Sequence, residues 1–151
     1  MRTPLATSAP EGYRKVNALD LYVSNNLEPS LKDLVYLRAS QLNGCNYCVD
    51  GHSGDLLGDG VPLRKVFAVT TWRESSFFTA RERLALELTE AVTDIASDGV
   101  SDDLWARASD AFSDKEVGDL VLAISMINVW NRIGISTRLQ PEPLEVEAAT
   151  A

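Results

Sequence analysis

Three side chains that could do chemistry together lie close in the sequence: Cys45, Cys48 and His52, the only histidine of the chain. Cysteines three positions apart on a helix have Cα atoms roughly 5–6 Å apart, which is within the range of a disulfide. His52 follows Cys48 by four residues, so the two share a helix face and the imidazole can take the thiol proton. The pair Asn43-Gly44 is typical of a helix end and places Cys45 near the start of the next helix. The pattern predicts a redox-active dithiol with a histidine base.

The sequence leaves open which cysteine is the nucleophilic thiolate. Unpaired N–H groups and the dipole at a helix start favour Cys45, whereas the histidine one turn away favours Cys48. We favour Cys48, because a base within hydrogen-bonding range removes the proton, while a dipole only lowers the pKa of the thiol.

Two other interpretations of the same residues remain. Cys45, Cys48 and His52 are three good zinc ligands, but the fourth would have to be Asp33, Asp50 or water. The cysteines could also be inert buried thiols, since free cysteine often behaves as a small apolar residue. In the cytosol a cysteine pair is more typical of redox or metal chemistry than of a structural disulfide. We expect the site to work without a metal or a cofactor.

The motif and its surroundings resemble a known family. Cys-x-x-Cys-x-x-x-His follows the run Leu-Arg-Ala-Ser-Gln-Leu-Asn-Gly at 37–44, and two further stretches at 72–74 and 128–132 look similar to the same family. Over about residues 12–135 the chain resembles the alkylhydroperoxidase D-like (AhpD-like) proteins, which are of the carboxymuconolactone decarboxylase type. The resemblance implies an AhpD-like bundle of helices that assembles into a trimer or a hexamer.

The resemblance also implies roles for the three residues of the motif. Cys48 would attack a hydroperoxide after losing its proton to His52, and the resulting sulfenic acid would condense with Cys45 to a disulfide. A thiol reductant, dihydrolipoamide-like as in the family, would then restore the dithiol.

The chain departs from the family pattern at two positions. The family has a glutamate twelve residues before the first cysteine, and this chain has Asp33 there. Its shorter side chain could still relay to His52, with a water between them, or it could simply cap a helix together with Ser30; both roles stay open. Some peroxidases of the family carry a second histidine where this chain has Tyr47, which weakens the expectation of strong hydroperoxidase activity but leaves the dithiol chemistry intact.

The elements that must position these residues are all helical. Hydroxyl residues followed three places later by an acid predict capping boxes at Ser30, Thr79 and Ser113. With the apolar periodicity between them, they predict an all-α fold of about seven helices, and no segment has the alternation of a strand. The predicted helices span roughly 10–26, 31–42, 45–57, 63–69, 79–96, 101–112 and 113–133.

The last of these helices is apolar on nearly every side. Such a helix must be covered on all sides, so it is either central in the fold or buried in a homo-oligomer. Its polar residues Asn128, Asn131 and Arg132 are expected to bond across to a neighbouring helix or subunit. We interpret Trp72, Trp105 and Trp130 as packing residues rather than as parts of a cofactor site.

Length, charge and hydropathy limit the remaining possibilities. The 151 residues fit one domain, 1–151, with its core at about 12–135 and a loose tail at 140–151. A net charge of −8 and a pI of about 4.6 disfavour nucleic acid as a partner. The N-terminus has no apolar stretch typical of a signal peptide, and the apolar stretch 117–129 is too short to span a bilayer. We therefore expect a cytoplasmic protein without a membrane partner.

Taken together, the sequence predicts a thiol-dependent peroxidase or disulfide oxidoreductase that acts on alkyl hydroperoxides through Cys45, Cys48, His52 and Asp33. One alternative is a lyase of the carboxymuconolactone decarboxylase kind, a branch that does not rely on the cysteine pair. A second alternative is a non-enzymatic redox sensor, in which the disulfide switches binding or assembly.

Overall fold

Eight α-helices and one 3₁₀ helix form the part of the chain that the computed structural model describes, residues 2–143, and no strand occurs there. The predicted all-α class is therefore confirmed. The expected loose tail falls mostly on residues 144–151, outside the described residues. The helices are α1 (Leu5–Ser8), α2 (Pro10–Asn26), α3 (Pro29–Asn43), α4 (Asn46–Gly58), α5 (Leu63–Ala68), the 3₁₀ helix (Val69–Glu74), α6 (Ala80–Thr93), α7 (Asp102–Ala111) and α8 (Asp114–Thr137).

Two of the three predicted capping boxes are confirmed. The Thr79 hydroxyl accepts from the backbone N–H of Glu82, whose carboxylate accepts from the N–H of Thr79. Ser113 and Glu116 make the same reciprocal pair at the start of α8. Each box satisfies N–H groups that a helix start leaves without a partner.

The third predicted capping box, at Ser30 and Asp33, is wrong. Helix α3 begins at Pro29, because proline fits the first helical turn, where its missing N–H is not needed. The residue before it, Glu28, takes the N-cap position, and the Ser30 hydroxyl donates to the Glu28 carboxylate instead. Asp33 is thereby left free of a capping role and points into the fold, where it is 3% exposed.

Helix α3 is the centre of the fold and packs against α4, α6 and α8. It ends at Gly44, which adopts the left-handed conformation (φ 72°, ψ 32°) that glycine tolerates best. The chain turns there within two residues, and α4 begins with Cys45 as its N-cap. The turn therefore places the cysteine pair at the junction of two helices, as Asn43-Gly44 predicts.

Helix α8 is the longest and crosses most of the fold, in contact with α2, α3, α4, α6 and α7. The apolar stretch 117–129 is only part of this 24-residue helix, so the expectation that no segment is long enough to span a bilayer is corrected. By length and composition α8 is the one helix of the described residues that could cross a membrane. The buried side chains of α8 pack inside the bundle. The core helix of a soluble protein can also be this long and this apolar, so length and composition alone are weak evidence for a membrane span.

A polar seam joins α8 to the end of α3. The Asn43 amide donates to the side-chain oxygens of Asn128 (2.9 Å) and Asn131 (2.8 Å), and the Asn131 amide donates to the Ser40 hydroxyl (2.9 Å). The predicted cross-helix bonds of both asparagines are therefore confirmed. Arg132 differs, because its guanidinium donates back to Asn128 within α8.

Two of the stretches that carry the family resemblance meet at one carboxylate, Glu90 of α6. Arg38 and the Trp72 indole N–H donate to it at 2.8 Å each, and Arg73 also bonds to it. Burial works to raise the pKa of Glu90, but the bonds from Trp72 and Arg73 and the charge of Arg38 outweigh it and lower that pKa. These motif residues therefore tie α3 and the 3₁₀ helix to α6.

Candidate active site

The two cysteines form a disulfide at the start of α4. Cys45 is the N-cap residue and Cys48 lies in the first turn, with Cα atoms 5.4 Å apart. Both are buried, with 1% and 6% of their surface exposed. Helix α8 packs against the two sulfurs at Gly134. The space there accommodates a glycine, but a larger side chain would crowd the sulfurs.

His52 lies on the next turn of α4 and contacts Asp33 directly. Its Nδ1 atom is 3.2 Å from the Oδ1 atom of Asp33 and 3.4 Å from the Oδ2 atom of Asp55. The aspartate at the family's glutamate position thus reaches the imidazole without a water between them, in contrast to the expectation from its shorter side chain. When Nδ1 carries the proton and donates to Asp33, Nε2 keeps a lone pair and can act as a base.

Tyr36 of α3 packs against the imidazole and was not predicted from the sequence. Its ring lies edge-on to His52 with centroids 4.9 Å apart, and its hydroxyl donates to the Asp20 carboxylate at 2.7 Å. Burial raises the pKa of Tyr36 well above its usual range, and the charge of Asp20 raises it further. The phenol is therefore a fixed hydrogen-bond donor beside the histidine.

A cleft of about 480 Å³ opens over Cys48 and His52. Cys45 and Asp33 do not line it, so the four predicted site residues divide into two at the cleft and two behind it. Its apolar walls are largely aromatic, and Tyr13 of α2 and Trp130 of α8 meet edge-to-face with centroids 5.5 Å apart. The aromatic residues that line it are Tyr13, Tyr36, Tyr47 and Trp130.

The charged groups around the cleft are acidic. Within residues 2–143, no lysine or arginine lines it, and His52 is the only lining side chain that can become positive. They are Asp20, Asp50, Asp55 and Glu142. Of these acids the sequence offered only Asp50, as a possible fourth zinc ligand; Asp20 and Glu142 come from distant parts of the chain and carry no local motif.

A cation could be held by Asp33, His52 and Asp55, whose ligand atoms lie within 4.8 Å of one another. The Asp33 Oδ1 atom is already 3.3 Å from the ammonium of Lys32. The alternative zinc site built on two cysteines needs two thiolates, and a disulfide supplies none.

The chain is thus an all-helical protein with a disulfide at a helix start, a histidine one turn on and a carboxylate behind it. It belongs to the carboxymuconolactone decarboxylase family, which matches residues 8–91. A Bacillus subtilis relative, the uncharacterized protein YdfG, is 35% identical over 129 residues, which are 85% of this chain and 88% of that protein.

Solved structures agree with this assignment. An Agrobacterium tumefaciens protein of unknown function, described as a candidate antioxidant defence protein AhpD, is 40% identical with a TM-score of 0.90, covering 95% of this chain and 99% of that one. The debrominase Bmp8, in its complex with 2,3,4-tribromopyrrole, has a TM-score of 0.80 at 19% identity and covers 89% of this chain and 73% of its own. At that identity the likeness shows the fold alone. The AhpD-like fold and the family resemblance are therefore confirmed.

Proposed function

We propose that the protein is a thiol-dependent peroxidase that reduces organic hydroperoxides at Cys48 and is reset by a thiol reductant. The observation that carries this proposal is the division of the cysteine pair. Cys48 lines a cleft together with His52, whereas Cys45 lies behind it within disulfide distance. The Cys48 sulfur is thus suited to attack the substrate, and the Cys45 sulfur is suited to attack the sulfenic acid that forms on Cys48.

The chemistry follows from this arrangement. His52 takes the proton of Cys48, and the thiolate attacks the outer oxygen of the hydroperoxide, so that the O–O bond breaks. The leaving alkoxide takes the proton from His52 and departs as an alcohol, while Cys48 becomes a sulfenic acid. The Cys45 sulfur then attacks that sulfur, the S–O bond breaks, and the proton of the Cys45 thiol passes to the departing hydroxyl, so that water leaves and the disulfide forms. Asp33 holds the imidazole in place and stabilises its charged form.

The charge of the cleft bears on one alternative, and turnover bears on the other. A decarboxylase must bind a carboxylate, and four acidic side chains around the cleft with no lining lysine or arginine within residues 2–143 oppose an anionic substrate. A redox sensor would use the same disulfide without turning over peroxide, so turnover distinguishes it from the enzyme.

The test is the consumption of cumene hydroperoxide with dithiothreitol as reductant. We expect Cys48→Ser to abolish turnover and His52→Ala to lower kcat/KM by at least about a hundredfold, the usual contribution of a general base. Cys45→Ser should still react once with peroxide and accumulate a sulfenic acid on Cys48, which dimedone labels. Ser97→Ala changes an exposed residue outside the cleft. This variant is the matched control and should keep full activity.

The contrary outcomes are equally definite. Wild-type protein that forms the disulfide but consumes no hydroperoxide would reject the peroxidase in favour of the sensor. If the Cys48→Ser variant still consumed hydroperoxide, the reaction would not occur at Cys48 and the proposed mechanism would be wrong.

A further inference from the structure

We infer that the cleft selects thiol reductants by charge, so that a cationic thiol resets the Cys45–Cys48 disulfide faster than an uncharged one, and an anionic thiol is slowest. The inference deepens the proposed function, since it concerns the reductive half of the same site. It rests on which sulfur can be reached, on the charges of the cleft and on the chemistry of its walls.

Only one sulfur of the disulfide is open to a reductant from the cleft. Cys48 lines the cleft, whereas Cys45 is 1% exposed and has α8 at Gly134 on its other side. A reductant thiolate therefore attacks Cys48, the bond between Cys48 and Cys45 breaks, and Cys45 leaves as a thiolate. Its N-cap position favours that leaving group, because a thiolate is stabilised at a helix start.

The second half of the exchange balances the electrons. A second reductant thiolate attacks the reductant's own sulfur in the mixed disulfide, and Cys48 leaves as a thiolate. The products are one oxidised reductant disulfide and two protein thiolates, which take up the protons that the two reductant thiols gave up. Two electrons have moved from the reductant to the protein, and every reductant molecule must enter the cleft.

The charges of the cleft act on that entry. Asp20, Asp50, Asp55 and Glu142 line it, and among the described residues no lysine or arginine does. The residues outside the described range, Met1 and 144–151, include no lysine or arginine. Four carboxylates around one opening repel an added negative charge and attract a positive one, and this effect falls with added salt.

The walls of the cleft favour the same sign of charge. Tyr13 and Trp130 form one wall, and Tyr47, 47% exposed, stands between the two cysteines in sequence and also lines the opening. Aromatic faces attract ammonium groups and accept short aliphatic chains, but they offer nothing to a carboxylate. The acidic rim and the aromatic wall are separate features of the cleft, and each of them predicts that the cleft prefers a cationic thiol.

The experiment uses three thiols of similar length that differ in one group: cysteamine, 2-mercaptoethanol and 3-mercaptopropionate. Oxidised full-length protein is mixed with each, quenched with an alkylating reagent and scored by mass for the two alkyl groups that mark the dithiol. Rates on the uncharged 2-hydroxyethyl disulfide correct for the different reactivities of the three thiols. We expect about a fivefold change in the corrected rate per unit of charge at low ionic strength, and less than about twofold at molar salt.

Variants assign the effect to the cleft. Asp50→Asn with Glu142→Gln removes two lining charges from exposed residues and should reduce the selectivity by at least half. Asp98→Asn with Asp110→Asn removes two exposed charges that do not line the cleft, and should leave the selectivity unchanged.

Equal corrected rates for the three thiols would overturn the inference, and so would equal loss of selectivity in both double variants. Because reduction of the disulfide is measured directly, a protein without peroxidase activity still gives a clear result. Failure of the proposed function and failure of this inference are therefore distinguishable.

Discussion

At the scale of single residues, Gly134 is a point where α8 packs against the disulfide. A Cβ atom at this position would lie 3.2 Å from the Sγ atom of Cys45 and 3.7 Å from that of Cys48. The first distance is shorter than ordinary contact, and the sulfur cannot move away freely because it is buried and bonded to Cys48. The absence of a side chain therefore allows the redox pair and the longest helix to pack together.

A matched pair of substitutions on α8 tests this contact. Gly118→Ala meets open space, and should stabilise the protein by up to about 1 kcal/mol through helix propensity. Gly134→Ala gains the same propensity but overpacks the disulfide, which typically costs about 1–3 kcal/mol, so we expect a net loss of stability in the oxidised protein. Urea unfolding of the two variants gives the comparison. Equal stabilisation by both substitutions would mean that the disulfide shifts to accommodate the added methyl group at little cost.

Asp33 is a positioning residue in the proposed mechanism, because it acts on peroxide only through His52. Asp33→Asn keeps the shape but removes the charge that stabilises the imidazolium, and we expect kcat/KM to fall at least about tenfold. Asp33→Glu restores the family's residue and should keep most of the activity.

Rescue by the conservative variant separates this role from a structural one. If Asp33 acts through its charge on His52, Asp33→Glu should keep the activity that Asp33→Asn loses, and the thermal midpoint of Asp33→Asn should stay near that of wild type. Equal loss of activity in both variants, or a lowered midpoint for Asp33→Asn, would instead point to a structural role.

At the scale of helices, local signals in the sequence were sufficient for most boundaries. The span 10–26 predicted from periodicity is confirmed as α2, Pro10–Asn26, and the turn at Asn43-Gly44 places Cys45 at a helix start. The fourth predicted helix ends earlier than expected, at Ala68, and continues as a 3₁₀ helix. The short α1 was missed, since four residues carry no periodicity.

The cleft could not be predicted in the same way. The i, i+3 and i, i+4 spacings of Cys45, Cys48 and His52 bring these residues together within one helix, but the cleft's aromatic wall does not depend on local spacing. Tyr13 and Trp130 meet because α2 packs against α8, and from the sequence Trp130 was interpreted only as a packing residue. Long-range packing of this kind leaves no motif.

The capping box of α8 predicts how stability responds to acid. Hydrogen bonds from the Ser113 backbone and hydroxyl, and then from Arg81, lower the pKa of Glu116 from 4.5 to about 2. A carboxylate with a lowered pKa stabilises the fold above its unfolded pKa, and this contribution is lost as the pH falls from about 4.5 toward 2. We expect the thermal midpoint of wild type to fall more steeply over this range than that of Glu116→Gln.

Glutamine is the informative replacement, because it can still bond to the N-cap but carries no charge to protonate. Midpoints measured from about pH 2 to about pH 6 give the comparison, with Glu74→Gln, an exposed glutamate at the end of the 3₁₀ helix, as the control. Parallel curves for wild type and Glu116→Gln would refute the assignment.

At the scale of the whole molecule, α8 leaves one face uncovered. The large apolar side chains exposed on α8 are Leu122, Val129 and Ile135, which are 38%, 40% and 47% exposed, and Leu122 and Val129 lie two turns apart on one helical stripe. Apolar side chains at this spacing on an otherwise core helix suit contact with another copy of the chain. We propose that this face forms the subunit interface of a homo-oligomer.

Light scattering after size exclusion tests the assembly. We expect a mass of three or six chains of 16.5 kDa each for wild type, and a smaller species for Leu122→Arg, because a charge buried without a partner at an interface is strongly unfavourable. Leu63→Arg is the matched control, since Leu63 is 51% exposed on α5 and does not belong to the stripe. A wild-type mass of one chain would reject the oligomer, whereas an oligomer that withstands Leu122→Arg would place the interface on a different face.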